Sequence, residues 1–85
     1  MQHNAQPAPE LITNLKAVKI TNWKELVPGG HVLHSGWAVL DVESNRLFAG
    51  HTGRYPYLNQ KAVAQQVAQG GLIAGFATVA LAGAA

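Results

Sequence analysis

After Lys61 not one of the remaining 24 side chains carries a charge, and from Gly70 onward the only polar side chain is Thr78. This stretch is rich in Ala and reads as helix from Gln60 to near the end of the chain. Its first half keeps a polar stripe in Gln65, Gln66 and Gln69; its second half is apolar or small on every side. A helix of the latter kind is buried all round. Three surroundings would do that: other copies of the chain or a larger protein, a lipid bilayer, or the rest of the same domain. At about 1.5 Å per residue, residues 67–85 just reach across a hydrocarbon core of roughly 30 Å. No basic residue and no aromatic belt follows them, so the membrane pattern is incomplete. Gly71 and Gly75 have the small-xxx-small spacing that lets helices approach closely. Gly83 follows two turns on, and these glycines with Phe76 and Val79 make the expected helix–helix contact. Gly70 and Gly71 also mark a kink or a break into two helices, each costing about 1 kcal/mol relative to Ala.

The rest of the chain is small. Eighty-five residues allow one domain. Hydrophobic residues make up 48% and charged residues 12%, so the chain is poor in charge rather than rich in grease. Six Lys and Arg against four Asp and Glu give a net charge of +2, which is too mild to indicate nucleic acid as a partner. No cysteine is present, which removes disulfides, thiolate zinc sites and thiol chemistry. A core this small gains from a partner.

The N-terminus lacks the basic and apolar regions of a signal peptide. Residues 1–8 read as a flexible or partner-bound arm, 9–69 as a small α+β module, and 70–85 as the apolar helix. Leu11, Ile12, Leu15 and Val18 follow helical spacing, whereas Val18-Lys19-Ile20-Thr21 alternates like a strand. The reading is a short helix or turn and then a short strand. Asn22 and Glu25 resemble a capping box and would open one helical turn carrying Trp23 and Leu26, stopped by Pro28-Gly29-Gly30.

The clearest local signal is a β-hairpin. Residues 37–42 and 46–49 flank a turn at Ser44-Asn45, where Asn tolerates positive φ. That turn pairs Val42 with Leu47 and Leu40 with Ala49. One face is then Ala38, Leu40, Val42, Leu47 and Ala49; the other mixes Trp37, Val39 and Phe48 with Asp41, Glu43 and Arg46. Residues 50–57 form a loop, Asn59 is a good N-cap, and Leu58 and Val63 are spaced as a hydrophobic staple. The expected fold is α+β: a short hairpin of two to three antiparallel strands packed on a long Ala/Gly-rich C-terminal helix.

Catalytic and metal-binding patterns are weak. His31, His34 and His51 are too few and too scattered for a metal site, because residues three apart in a strand point to opposite faces. Glu10, Glu25, Asp41 and Glu43 are the four carboxylates; Glu25 reads as a cap and Glu43 as a partner of Arg46. There is no GxSxG, P-loop or GxGxxG. The expectation is a protein that is not an enzyme and takes no cofactor, metal or small-molecule substrate. Lys16, Lys19 and Lys24 could touch phosphates, but Arg, Tyr and Trp equally anchor protein contacts. Trp37, Phe48, Arg54, Tyr55 and Tyr57 are therefore the expected protein-contact residues.

Gly36-Trp37-Ala38-Val39-Leu40-Asp41, the turn Glu43-Ser44-Asn45-Arg46, and Arg54-Tyr55-Pro56-Tyr57 before an Ala-rich helix resemble small bacteriophage-encoded accessory or virion proteins. The resemblance covers residues 36–69 and implies a structural component of a phage particle. Such a component would bind copies of itself as a homo-oligomer, or a larger particle protein, and be located in the virion. Two alternatives stand beside it. One is a small protein anchored in the host cell membrane by residues 67–85. The other is an inhibitory module presenting Trp37, Phe48, Arg54 and Tyr55 to a host enzyme.

Overall fold

The computed structural model describes residues 10–83; the expected arm at residues 1–8 lies outside them. The chain is mostly strand. In order, its elements are β1 (Leu11–Ile12), β2 (Leu15–Val27), β3 (Gly30–Asp41), β4 (Arg46–Phe48), α1 (Lys61–Gly70), β5 (Leu72–Ile73) and β6 (Thr78–Ala80). Four strands form an antiparallel sheet in the order β2-β3-β4-β6, and β1 pairs with β5 in a small second ladder.

The long β2–β3 hairpin dominates. It runs from the Leu15–Asp41 pair to the Val27–Gly30 pair, and Pro28 and Gly29 make the turn. Proline at the first corner and a glycine at φ 83° at the second is the type II combination. One extra residue sits in β2 between Ile20 and Trp23, where Thr21 and Asn22 face Ser35. Asn22 adopts φ 55° at this bulge, and its N–H donates to the Ser35 hydroxyl at 3.0 Å.

The bulge explains why this segment reads ambiguously. Before it, Leu15 and Ala17 pack toward α1, while Val18 and Ile20 pack on the opposite face. A strand covered on both faces loses its alternation. After the bulge the phase shifts by one, which brings Trp23 and Glu25 onto the same face as Ile20. The expected helical turn at residues 22–26 is thus strand: Asn22 is the bulge residue, and Glu25 is a buried strand residue rather than a cap.

Both faces of the sheet carry core. The inner face holds Ile20, Trp23, Ala38, Leu47, Ala49 and Val79, with Val18, Leu40, Tyr55 and Leu58 against them. The sheet curls around this face until its edges meet, and the Trp23 indole N–H donates to the Ala80 carbonyl of β6 at 2.8 Å. The other face holds Val39, Ala64 and Ala68, with Leu15, Ala17, Trp37, Phe48, Val67 and Leu72. The helix α1 covers it.

The β3–β4 hairpin forms with a different register from the expected one. Leu40 pairs with Leu47 and Asp41 with Arg46, around a four-residue turn, 42–45. The Asn45 N–H donates to the Asp41 carbonyl at 2.8 Å and the Glu43 N–H to the Asp41 carboxylate at 3.2 Å, so Asp41 organises the turn. The shift is by two residues and preserves the faces: Ala38, Leu40, Leu47 and Ala49 share the inner one. Val42 moves into the turn and is exposed.

The expected long C-terminal helix does not form. The helix α1 stops at Gly70, and the Gly71 N–H closes it onto the Val67 carbonyl at 3.1 Å. Beyond it, Gly71, Gly75 and Gly83 have φ of 82°, 92° and 89°, a region that a right-handed helix never visits. Residues 70–83 instead supply β5 and the edge strand β6. The expected helix–helix contact therefore dissolves. Gly71 caps α1, Gly75 sits in a turn, Phe76 packs edge-on against Phe48 at 5.8 Å, Val79 enters the inner core, and Gly83 lies beside Lys24. The alanines follow tertiary pairing rather than helix propensity, which is a weak determinant.

Candidate functional site

The β2–β3 hairpin outruns the rest of the sheet, since β4 pairs only with the Leu40–Asp41 end of β3. Its far part is an arm. At the arm's base, Trp23 pairs across the ladder with His34, and Glu25 with Val32. The loop of residues 49–58 folds back beneath this base. It is tied to the sheet by the Tyr57 N–H to the Phe48 carbonyl at 2.8 Å, and by mutual hydrogen bonds between Trp37 and Asn59 at 2.9 and 3.0 Å.

Glu25 is the one buried charged side chain among the described residues. Its carboxylate is hydrogen-bonded with His34 Nε2 at 2.8 Å and lies 3.7 Å from Arg54 Nε. The Tyr55 ring stacks on the imidazole at 4.4 Å and 11°. Burying a carboxylate is tolerated when it is paired and hydrogen-bonded, and here all partners come from the neighbouring strand and the loop. The cluster fixes the arm to the loop.

Beside it opens a cavity of about 490 Å³ lined by Leu33, His34, His51, Tyr55, Tyr57 and Leu58, among others. Three of its hydroxyl oxygens, those of Ser35, Thr52 and Tyr57, bond within the chain. Ser35 accepts from the Asn22 N–H, Thr52 donates to the Ala49 carbonyl at 3.4 Å and accepts from the Arg54 N–H, and the Tyr57 oxygen accepts from the Asn59 amide. These groups hold backbone and side chains in place. His31 and His34 lie on opposite faces of the hairpin, and among the described residues no three His, Cys, Asp or Glu side chains converge on a metal site.

The five residues expected to make protein contacts do not form one patch. Trp37 and Phe48 face α1, with Lys61 Nζ 5.1 Å from the Trp37 ring and Tyr57 against Phe48 at 5.7 Å. Tyr55 packs on the inner face. Arg54 alone is well exposed, its side chain at 72%. Exposed apolar side chains lie instead at the β1–β5 pair Leu11 and Ile73, at Val42 and Leu81, and toward the arm's tip at Leu26 (56%), Val32 (43%) and Leu33 (50%). Sequence reasoning missed those at the tip because it placed residues 22–26 in a helix. The signal that could have found them is Val27-Pro28-Gly29-Gly30 between two runs of strand-forming residues. Comparison with family models, curated proteins and solved structures gives no match to this chain.

Proposed function

We propose that this chain is a non-enzymatic structural component that attaches to a larger assembly, of the kind built by phage particles, through its β-arm. The observation that carries this reading is the arm itself. It leaves two leucines and a valine about half exposed on adjoining rungs at one end of the protein, whereas the other exposed large apolar side chains, Leu11, Val42, Ile73 and Leu81, lie on the body. An exposed apolar cluster costs solubility and marks a contact surface. The Glu25–His34–Tyr55–Arg54 cluster supports it by presenting the arm in one orientation, which lowers the entropy lost on docking. Any attachment through residues 67–85 would use β5 and β6 rather than a spanning helix, since no helix among the described residues is long and apolar enough to cross a membrane.

The test is fractionation of cells or particles that contain the chain. Wild type is expected in the high-mass fraction. The double variant Leu26→Ser/Leu33→Ser, which alters only exposed positions and is expected to keep the wild-type melting temperature, is expected in the low-mass fraction. Equal partitioning of the two proteins would overturn the reading.

A further inference from the structure

We infer that the partner of the arm is an anionic lipid surface, into whose interface the tip inserts; this rests on the arm being the attachment surface. Three observations order the chemistry along the arm. First, from Leu26 to Leu33 the tip holds no charged side chain except the titratable His31, and its apolar groups point to both faces. Leu26 and Leu33 share one face, whereas Val32 and the half-buried Val27 share the other. A flat partner covers one face of a ribbon. An exposed tip apolar on both faces calls for surroundings that enclose it.

Second, cations stand behind the tip on both sides. Lys24 pairs across the ladder with Leu33, and Lys19 pairs with Trp37, over which Lys61 also lies, all on the α1 side. Arg54 stands on the opposite side at Glu25. They make a loose collar spread back along the arm: Lys24 adjoins the tip, Lys19 stands behind it opposite Trp37, and Arg54 shares its charge with Glu25. Third, charge is segregated along the molecule. The arm's own carboxylate, Glu25, is buried and paired, whereas Asp41 and Glu43 lie at the opposite end of β3 with Glu10 before the β1–β2 segment; these three carboxylates outnumber the two cations at that end, Lys16 and Arg46. An apolar tip followed by a loose collar of cations is complementary to a layer whose anionic groups lie outside its apolar interior. A nucleic acid would meet the lysines but leave Leu26 and Leu33 without partners. The stretch from the Lys24–Leu33 pair to the turn is three residue steps, about 10 Å, which matches the roughly 5–10 Å to which interfacial elements enter a bilayer.

The experiment is co-sedimentation of the purified chain with vesicles of phosphatidylcholine, alone or mixed with phosphatidylserine, at rising salt. Wild type is expected to bind the mixed vesicles, not the neutral ones, and to be released by salt as the collar is screened. Lys24→Gln is expected to weaken binding about fivefold, and Leu26→Ser/Leu33→Ser about a hundredfold. No binding to either vesicle, equal binding to both, or binding by the double variant as tight as that of wild type would each overturn the inference. If wild type ignores vesicles while fractionation still depends on Leu26 and Leu33, the arm reading stands and its partner is a protein cleft. If fractionation is also indifferent to both leucines, the arm reading falls as well.

Discussion

Asn22 and Glu25 sit three positions apart and show how one residue can carry a structural decision. At φ 55° Asn is among the few non-glycine residues that tolerate the left-handed region, and other side chains pay about 1–2 kcal/mol there. Asn22→Gly is therefore expected to leave stability nearly unchanged, and Asn22→Val to lower it by about 1–2 kcal/mol in urea unfolding. Equal effects would place the bulge elsewhere. Glu25 has the opposite character, since its backbone is ordinary and its surroundings are not. Removing its hydrogen-bond partner leaves a buried carboxylate facing only Arg54 at 3.7 Å. His34→Leu is expected to cost about 3–5 kcal/mol. Glu25→Leu/His34→Leu together is expected to recover most of that loss, because two apolar groups need no pairing. A double variant no more stable than the single one would show that the stacking of Tyr55 on His34, not the charge, holds the cluster.

At the scale of elements, strands and turns with their own sequence signals were legible and those decided by distant pairing were not. The β3–β4 hairpin was visible because apolar positions alternate on both sides of Ser44-Asn45. Its faces were right although its register was two residues off, since Asp41 caps a longer turn than the sequence suggests. The helix was visible up to Gly70 from its Gln stripe. The strand β2 was obscured by burial on two faces and a phase slip at the bulge, and β6 by alanines whose strand state comes only from pairing with β4. Of the candidate site, Arg54 and Tyr55 were singled out, but the reason to single out Glu25 and His34 lies in a contact across the ladder that no spacing rule reveals. Two substitutions separate core from surface. Leu47, fully buried between β3 and β6, should lose about 2–5 kcal/mol on truncation to Ala. Leu26→Ala at the exposed tip should stay within about 0.5 kcal/mol of wild type. Thermal melts of both variants check this, and comparable shifts would contradict the placement of the arm outside the core.

For the whole molecule, the seam between β2 and β6 is what turns a sheet into a closed body. Ala80 accepts the Trp23 indole, and Val79 fills the inner core between Leu47 and that seam. Removing residues 72–83 is expected to abolish cooperative unfolding, because the inner face loses its lid and β4 becomes a bare edge. Circular dichroism melts of the truncated chain read this directly, and a sharp transition would mean that β2–β4 and α1 fold alone. The body so closed touches the arm at Trp23, Glu25 and His34, and at the turn nothing lies within 4 Å of where a side chain on Gly29 or Gly30 would begin.

The type II turn at Pro28-Gly29 therefore ends a segment whose length the body does not dictate. Inserting one residue in each strand behind the turn would lengthen the ribbon by one rung and rotate the tip's two faces about its axis. Inserting two in each strand would restore the original facing while carrying the leucines farther out, by about 7 Å. In an evolving lineage such a ribbon is a variable that can drift in steps of four residues without renegotiating the core, and an engineer could use it as a ruler for the depth of whatever receives it.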